Sequence, residues 1–530
     1  MTNPGAGSGF VAPPLPPCSL ASLASDPVLN WVRQNTYGHR ALIPSPHGAQ
    51  PRRYFDYTAS GLPFRPIEEL LAERVLPFMA NTHTQSNFSG QFITALYEQA
   101  HDKVRRALRA GDDDIVIFTG SGATGAINKL ITCLGLRIPD ILQERFDCAS
   151  TIPAHARPIV IRTRMEHHSN DIPWRETISD TDHIGYDADG RACWRDLDRL
   201  LSRPEYRDRP LKVGTFSAAS NVTGVLNDTR TLARVMHDHG GYAFFDFAAA
   251  GPYVDIDMHP DDDPSYRKDA VFLSLHKFMG GPQTPGLLVA NRRLFRTRVP
   301  AEPGGGTVLY TSPWEYRYLE NLQHREESGT PAIVSVIRAG LAIDLKEMIG
   351  VDRLQSLENE CVRAAATAWR GHPKIEILGP DPLQVPRLGI LSLVLDNRQL
   401  HHNLAVRLLS DRYGIQVRGG CMCAGTYGHD LLDIDQATSQ RIRDALDEGQ
   451  AHIKPGWVRL SFGPAVSEED LQVLIAAVPD IAENWRRYAV DYVLDPDTAE
   501  WQHRSQVGQI SELSLLSPSP RSTLSRAAGG

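Results

Sequence analysis

Short, almost continuous apolar runs that alternate with helical stretches predict an α/β protein. Its large domain would hold a mostly parallel sheet covered by helices, followed by a smaller α+β C-terminal domain. Three observations carry this expectation. The runs Ile115-Val116-Ile117-Phe118, Pro158-Ile159-Val160-Ile161, 212–216 and 242–246 are strand-like and separated by helical sequence. The first leads directly into Thr119-Gly120-Ser121-Gly122-Ala123-Thr124 and a helix start. A further pair of runs, Val271-Phe272-Leu273 and 286–290, flanks Ser274-Leu275-His276-Lys277 and the turn-rich Gly280-Gly281-Pro282.

In chain order, residues 1–25 are rich in Pro, Gly, Ala and Ser and read as a flexible arm. Order is expected from Pro27. The stretch 53–61 reads as a short strand running into a turn. Residues 66–78 have helical periodicity, with Pro66 suited to a first turn and Glu68 and Glu69 complementing the dipole. A polar loop, His83-Thr84-Gln85-Ser86-Asn87, precedes a helix expected over 91–108. A helix over 228–239 is closed by Gly240-Gly241. A long helical stretch over 333–370 bridges to the smaller unit, which holds strands near 389–394 and 457–462 and helices near 403–409 and 439–448. The resulting division is an arm at 1–25, a large domain at 26–335 that includes an N-terminal segment of the small domain, the small domain at 336–490, and a mostly disordered Ser/Pro-rich tail at 491–530.

Composition excludes several classes. The chain has 530 residues, 42% hydrophobic and 22% charged, as in an ordinary soluble protein. A net charge of -8 argues against general nucleic-acid binding. No apolar run approaches the ~18 residues of a membrane span, and residues 1–19 lack the basic and apolar regions of a secretory signal. Seven irregularly spaced cysteines fit reduced thiols and a cytoplasmic location.

In open parallel sheets, ligands bind beyond the carboxyl ends of the strands. Five polar groups fall there, in the order Thr124, His167, Asn221, Asp246, Lys277. A buried lysine is costly unless it is used, and forming a covalent bond to an aldehyde is one such use. The set matches pyridoxal 5′-phosphate: Lys277 bonds the aldehyde, Asp246 holds the ring nitrogen protonated, and His167 stacks on the ring face. Asn221 reaches the phenolic oxygen. The helix start at Gly122-Ala123-Thr124, with Ser274 and His276, takes the phosphate.

These residues also carry a family resemblance. With Glu166-His167-His168-Ser169-Asn170, 220–224, Gly304-Gly305-Gly306, 327–331, Arg418-Gly419-Gly420-Cys421-Met422-Cys423-Ala424 and Arg459-Leu460-Ser461, the chain resembles the class V aminotransferase fold family over about residues 50–475. Within it, the group II cysteine desulfurases and selenocysteine lyases are the nearest in pattern. The resemblance implies PLP-dependent transferase fold type I and a homodimer with Thr330 reaching the cofactor phosphate of the other subunit. It implies Arg459 on the substrate α-carboxylate, Arg418 beside the site, and Cys423 as sulfur acceptor.

The sequence departs from that pattern in three places. Ala249 stands where Gln is usual, Cys421-Met422 where His-His is usual, and Thr84 where Arg is common. The reaction expected is release of sulfur from L-cysteine or a similar amino acid, giving L-alanine and a persulfide on Cys423, with transfer onward to an acceptor protein. Lys277 acts as the base at Cα, and a positive charge such as Arg418 favours the Cys423 thiolate. Cys421 and Cys423 lack the second pair or His cluster that a zinc site needs, so no metal is expected. Rival activities are those of a selenocysteine lyase, aminotransferase, kynureninase-type hydrolase, epimerase or molybdenum-cofactor sulfurase. A rival of another class is a non-catalytic scaffold of the same fold.

Overall fold

The computed structural model describes residues 25–506 except His83 and Gln85. The arm expected over 1–25, save its last residue, and the tail beyond 506 therefore lie outside the described residues, as do two members of the polar loop. The large domain is built on a seven-stranded sheet: β1 (Asp114–Thr119), β2 (Ile159–Thr163), β3 (Asp180–Ile184), β4 (Lys212–Ser217), β5 (Tyr242–Asp246), β6 (Ala270–Ser274) and β7 (Gly286–Asn291). Their order across the sheet is β1-β7-β6-β5-β4-β2-β3. Only β7 runs against the rest, being antiparallel to both of its neighbours. The strands other than β3 are buried along their whole length save Tyr242 at the start of β5, which is why they read as continuous apolar runs. The exception is the edge strand β3, polar and half-buried, which sequence periodicity did not mark.

Helices cover both faces. They include α1 (Phe88–Ala107), α2 (Gly122–Cys133), α3 (His168–Arg175) and α4 (Thr229–Asp238). Asp228 caps α4, its carboxylate accepting from Thr231 N at 3.0 Å. The helical segment expected over 66–78 is an α-helix (Arg65–Leu70), one π turn and a 3₁₀ turn. The long stretch near 333–370 is two helices, α5 (Ile333–Ile349) and α6 (Val351–Trp369). Gly350 divides them at φ +88°, a conformation the helix cannot continue through.

The small domain holds an antiparallel sheet of β8 (Ile375–Ile377), β9 (Ile390–Leu395), β10 (Arg418–Gly420) and β11 (Trp457–Ser461), in the order β8-β9-β11-β10. Against it packs α7 (His402–Tyr413), and against α7 and α6 packs α8 (Glu468–Ala489), opened by a Ser467/Asp470 capping box. The segment 53–61 stitches the domains together. Arg53–Tyr54 pairs in parallel with Ile415–Gln416, and Phe55 O accepts from Ser461 N at 2.7 Å. Six residues on, Gly61 N donates to His276 O at 3.0 Å, beside Lys277. The tail expected from 491 begins with order: Tyr492–Asp495 and Glu500–His503 form a hairpin anchored by the buried Tyr492, whose hydroxyl donates to Asp411 at 3.0 Å.

Candidate active site

The sheet register gathers the polar strand ends at one edge. Ser217 lies opposite Asp246, and Gly286 lies opposite both Thr119 and Ser274. A cavity of about 260 Å³ opens there, lined among others by Ser121, Ser217, Ala249 and Met422. Its wall also contains Gly122, Ala123, Thr124, His167, Asn221, Asp246, Ser274, His276, Lys277, Arg418, Cys423 and Arg459. Thus every residue to which the sequence assigns a role at the site, except Thr330, lies in one wall. Thr330 is exposed, 249 residues from its partner Asn81, whose Nδ2 donates to Thr330 Oγ1 at 3.3 Å.

Lys277 follows β6 in a short 3₁₀ turn. Enclosure by protein strips its ammonium of water and lowers its pKa to about 8. The Asp246 carboxylate works the other way, and Arg459 and Arg418 add to the lowering. Asp246 ends β5, where burial pushes its carboxyl up, against the N–H of Ala248 at 2.8 Å and the charge of Lys277.

The motif at 166–170 divides its labour. Glu166 and Asn170 point into the protein. Glu166 accepts from the hydroxyls of Thr163 and Ser217, each at 2.6 Å, and from Asn170 Nδ2 at 2.7 Å. Asn170 Oδ1 in turn accepts from Thr215 Oγ1 at 2.7 Å and Trp174 Nε1 at 3.1 Å. This satisfied buried network fixes the loop and turns His167 and Ser169 to the cavity. His167 caps α3, its Nδ1 accepting from Ser169 N at 3.1 Å. Burial, then the charge of Lys277, depresses its pKa to about 3, so its ring is a neutral, flat surface. His276 is depressed to about 4 by burial and by Lys277.

At the start of α2, Ala123 N donates to Ser274 Oγ at 2.9 Å, and the hydroxyls of Thr124 and Ser169 share a hydrogen bond of 2.6 Å. A Cβ on Gly122, which has φ +56°, would lie 2.7 Å from Ser274 Oγ and 3.0 Å from His276 Cε1. The absence of that carbon leaves a cradle at a helix start whose first N–H groups have no intrahelical partner.

The loop 421–423 is held through two of its carbonyls. Asn221 Nδ2 donates to Met422 O at 2.9 Å, and His168 N donates to Cys423 O at 2.7 Å. Asn221 thus commits one of its two amide hydrogens to this loop and keeps the other. Met422 and Cys423 both adopt left-handed conformations, φ +53° and +54°, at of order 1–3 kcal/mol each. The Met422 side chain offsets this by burial among Val222, Leu378, Tyr427 and Trp457. Met422 goes in and Cys423 comes out, exposed at the cavity wall. Ala249 presents only a methyl group to the cavity.

One residue given no role by sequence reasoning stands at the site. Asp56 Oδ1 accepts from Arg459 Nη2 and Oδ2 from Arg418 Nε, both at 3.1 Å. Its only sequence signal is its place in the stretch 53–61, where a strand runs into a turn. Arg459 Nη1 also donates to Asn221 O at 3.2 Å, and its buried Nε has no partner among the described residues.

Comparison with known proteins agrees with this architecture. A model of the aminotransferase class-V family matches residues 53–474. A probable cysteine desulfurase of Halalkalibacterium halodurans is 28% identical over 382 residues, which cover 71% of this chain and 84% of that protein. A probable cysteine desulfurase of Streptomyces coelicolor is likewise 28% identical over 382 residues, with the same shares covered. The apo structure of a cysteine desulfurase from Thermococcus onnurineus superimposes with a TM-score of 0.67 at 22% identity, covering 86% of this chain and 98% of that one. Pyridoxal 5′-phosphate, the cofactor of class V aminotransferases, fits the residues present: an enclosed lysine, a buried aspartate, a neutral flat ring and a glycine-lined cradle at a helix start. With one family model spanning both domains and every residue of the cavity, the chain belongs to the class V aminotransferase family.

Proposed function

We propose that this protein is a cysteine desulfurase that takes sulfur from L-cysteine, leaving L-alanine and a persulfide on Cys423. The observation that carries this reading is that an exposed cysteine on a strained, clasped loop lines the same cavity as Lys277. The relatives named probable cysteine desulfurases point to the same substrate.

Lys277 would hold the cofactor covalently, with Asp246 at its ring nitrogen, His167 on its ring face and Asn221 at its phenolic oxygen. Gly122, Ala123, Thr124, Ser274 and His276 would hold its phosphate, joined by Thr330 of the partner subunit. When bound, the cofactor draws electrons from the substrate Cα. The chain's own groups do the rest. Arg459 binds the α-carboxylate through a guanidinium fixed by Asn221 and Asp56. Arg418 stands beside it. Lys277, half-neutral near pH 8, takes the proton from Cα. Cys423 Sγ, as thiolate, attacks the substrate sulfur. The S–S bond forms as the Cβ–S bond breaks and the electron pair passes to Cβ, which takes up the proton given off by the Cys423 thiol; the proton held by Lys277 returns to Cα and completes L-alanine.

The same reading includes a homodimer. Thr330 faces outward, and Leu70, Leu76, Phe78 and Phe88 form exposed apolar surface on the large domain. It also includes an acceptor protein, since the exposed Cys423 is open to a partner thiol, and a cytoplasmic location. Among the described residues no helix is long and apolar enough to cross a membrane.

The test is Cys423→Ala supplied with L-cysteine. Alanine formation falls to background while the cofactor absorbance is kept. Alanine formation at the wild-type rate overturns the persulfide route.

A further inference from the structure

His168 is the first residue of α3, whose start is fixed from inside by the Glu166 and Asn170 pair. It meets the cysteine loop twice. Its backbone N–H donates to Cys423 O at 2.7 Å, and its ring Nε2 accepts from Gly425 N at 3.0 Å. The two bonds straddle the buried Ala424, and Gly425–Leu431 then runs on as a short helix. The far end of that helix is tied down as well, where Asp430 accepts from Arg164 Nε at 2.7 Å and from Tyr186 Oη at 2.9 Å. The approach of the ring needs a glycine: a Cβ on Gly425 would lie 3.1 Å from His168 Nε2. A ring nitrogen that accepts an amide N–H carries no proton, so the neutral ring holds its proton on Nδ1. Burial, then the charges of Lys454 and Arg175, lowers the pKa of His168 and keeps the ring in that form.

The left-handed backbone of Met422 and Cys423 persists only where its surroundings over-determine it. His168 supplies part of that constraint, on the side of Cys423 away from Met422. It is also the direct neighbour of His167, with the two ring centres 6.3 Å apart. One ring lines the cavity, and the other grips the loop that bears the thiol. We propose that His168 is a positioning residue: by clasping Cys423 O and Gly425 N it holds the Cys423 thiol in register with the cavity face formed by His167, where the thiol meets the substrate sulfur. The inference rests on the reading of Cys423 as the sulfur acceptor.

The test uses the holoenzyme and two reactions of the one cavity. The first turnover of L-cysteine to L-alanine needs Cys423. Exchange of the Cα hydrogen of L-alanine with deuterated water needs Lys277 but no thiol. His168→Ala slows the first by about tenfold, the scale of one lost hydrogen bond, and leaves the second within about twofold of wild type. His168→Gln, whose amide oxygen can reach Gly425 N, restores most of the first. His168→Asn is too short to reach it, behaves as Ala does, and serves where Ala does not fold. Hydrogen exchange of the 421–427 amides, read by mass spectrometry, is slow in wild type and His168→Gln and faster in His168→Ala and His168→Asn. Equal losses in the two reactions, an unchanged first turnover in His168→Ala and His168→Asn, or a Gln variant as impaired as Ala overturns the proposal. Cα exchange by the wild type without any turnover of L-cysteine overturns the desulfurase reading and the proposal with it.

Discussion

Lys277 shows how environment sets reactivity at a single side chain. Burial lowers its pKa well below that of an exposed lysine, to about 8. At pH 7 about a tenth of the amines in the apoenzyme are therefore neutral. Only the neutral amine condenses with an aldehyde. The rate at which apoenzyme takes up pyridoxal 5′-phosphate rises with pH and levels off above about pH 8, read by stopped-flow absorbance. A rise that continues to pH 10 would mean that Lys277 is not desolvated. Lys277 was legible in the sequence because it follows an apolar strand in an ordered series of strand-end polar groups. Asp56 was not. Its partners lie 362 and 403 residues away, and an aspartate at a turn carries no mark of them. Nor was the clasping of Met422 by Asn221 legible, since a carbonyl oxygen has no sequence signature.

At the scale of elements, the site depends on how closely β7 approaches the start of α2. A Cβ on Gly286 would sit 2.0 Å from Gly122 O and 2.6 Å from Thr119 O. Both atoms are backbone and cannot swing aside. Gly286→Ala is thus expected to destabilise the protein by about 1–3 kcal/mol or more and to weaken cofactor retention, because the displaced atoms form the phosphate cradle. Thermal melts of apoenzyme and holoenzyme check both effects. An unchanged melting temperature would contradict the close approach. The buried strands could be read because no polar face interrupts them. β3 could not, because at the sheet edge its residues 180–183 are half-exposed. The break inside the helical stretch expected over 333–370 was not legible, because a lone glycine can be tolerated in a helix and only the fold shows that Gly350 takes a positive φ.

Across the whole molecule, the two domains meet at the cavity and the segment 53–61 belongs to both. Its strand pairs with the small domain while Gly61 bonds the turn that bears Lys277. The segment 327–331 is tied down in turn by Glu327, which accepts from Tyr97 Oη at 2.6 Å, His101 Nε2 at 2.9 Å and Phe118 N at 2.7 Å. That anchor holds Thr330 outward, where a second copy of the chain would meet it. The family pattern placed Arg459, Arg418 and Cys423 in the site from their motifs, and the fold brings them to one wall with Lys277. In the proposed function this wall delivers sulfur to one thiol. Holoenzyme mixed with one equivalent of L-cysteine and examined by peptide mass spectrometry should carry one added sulfur on Cys423, none on Cys421, and an equal amount of L-alanine in solution. Alanine formed with Cys423 unmodified, or sulfur resident on another cysteine, would contradict the account.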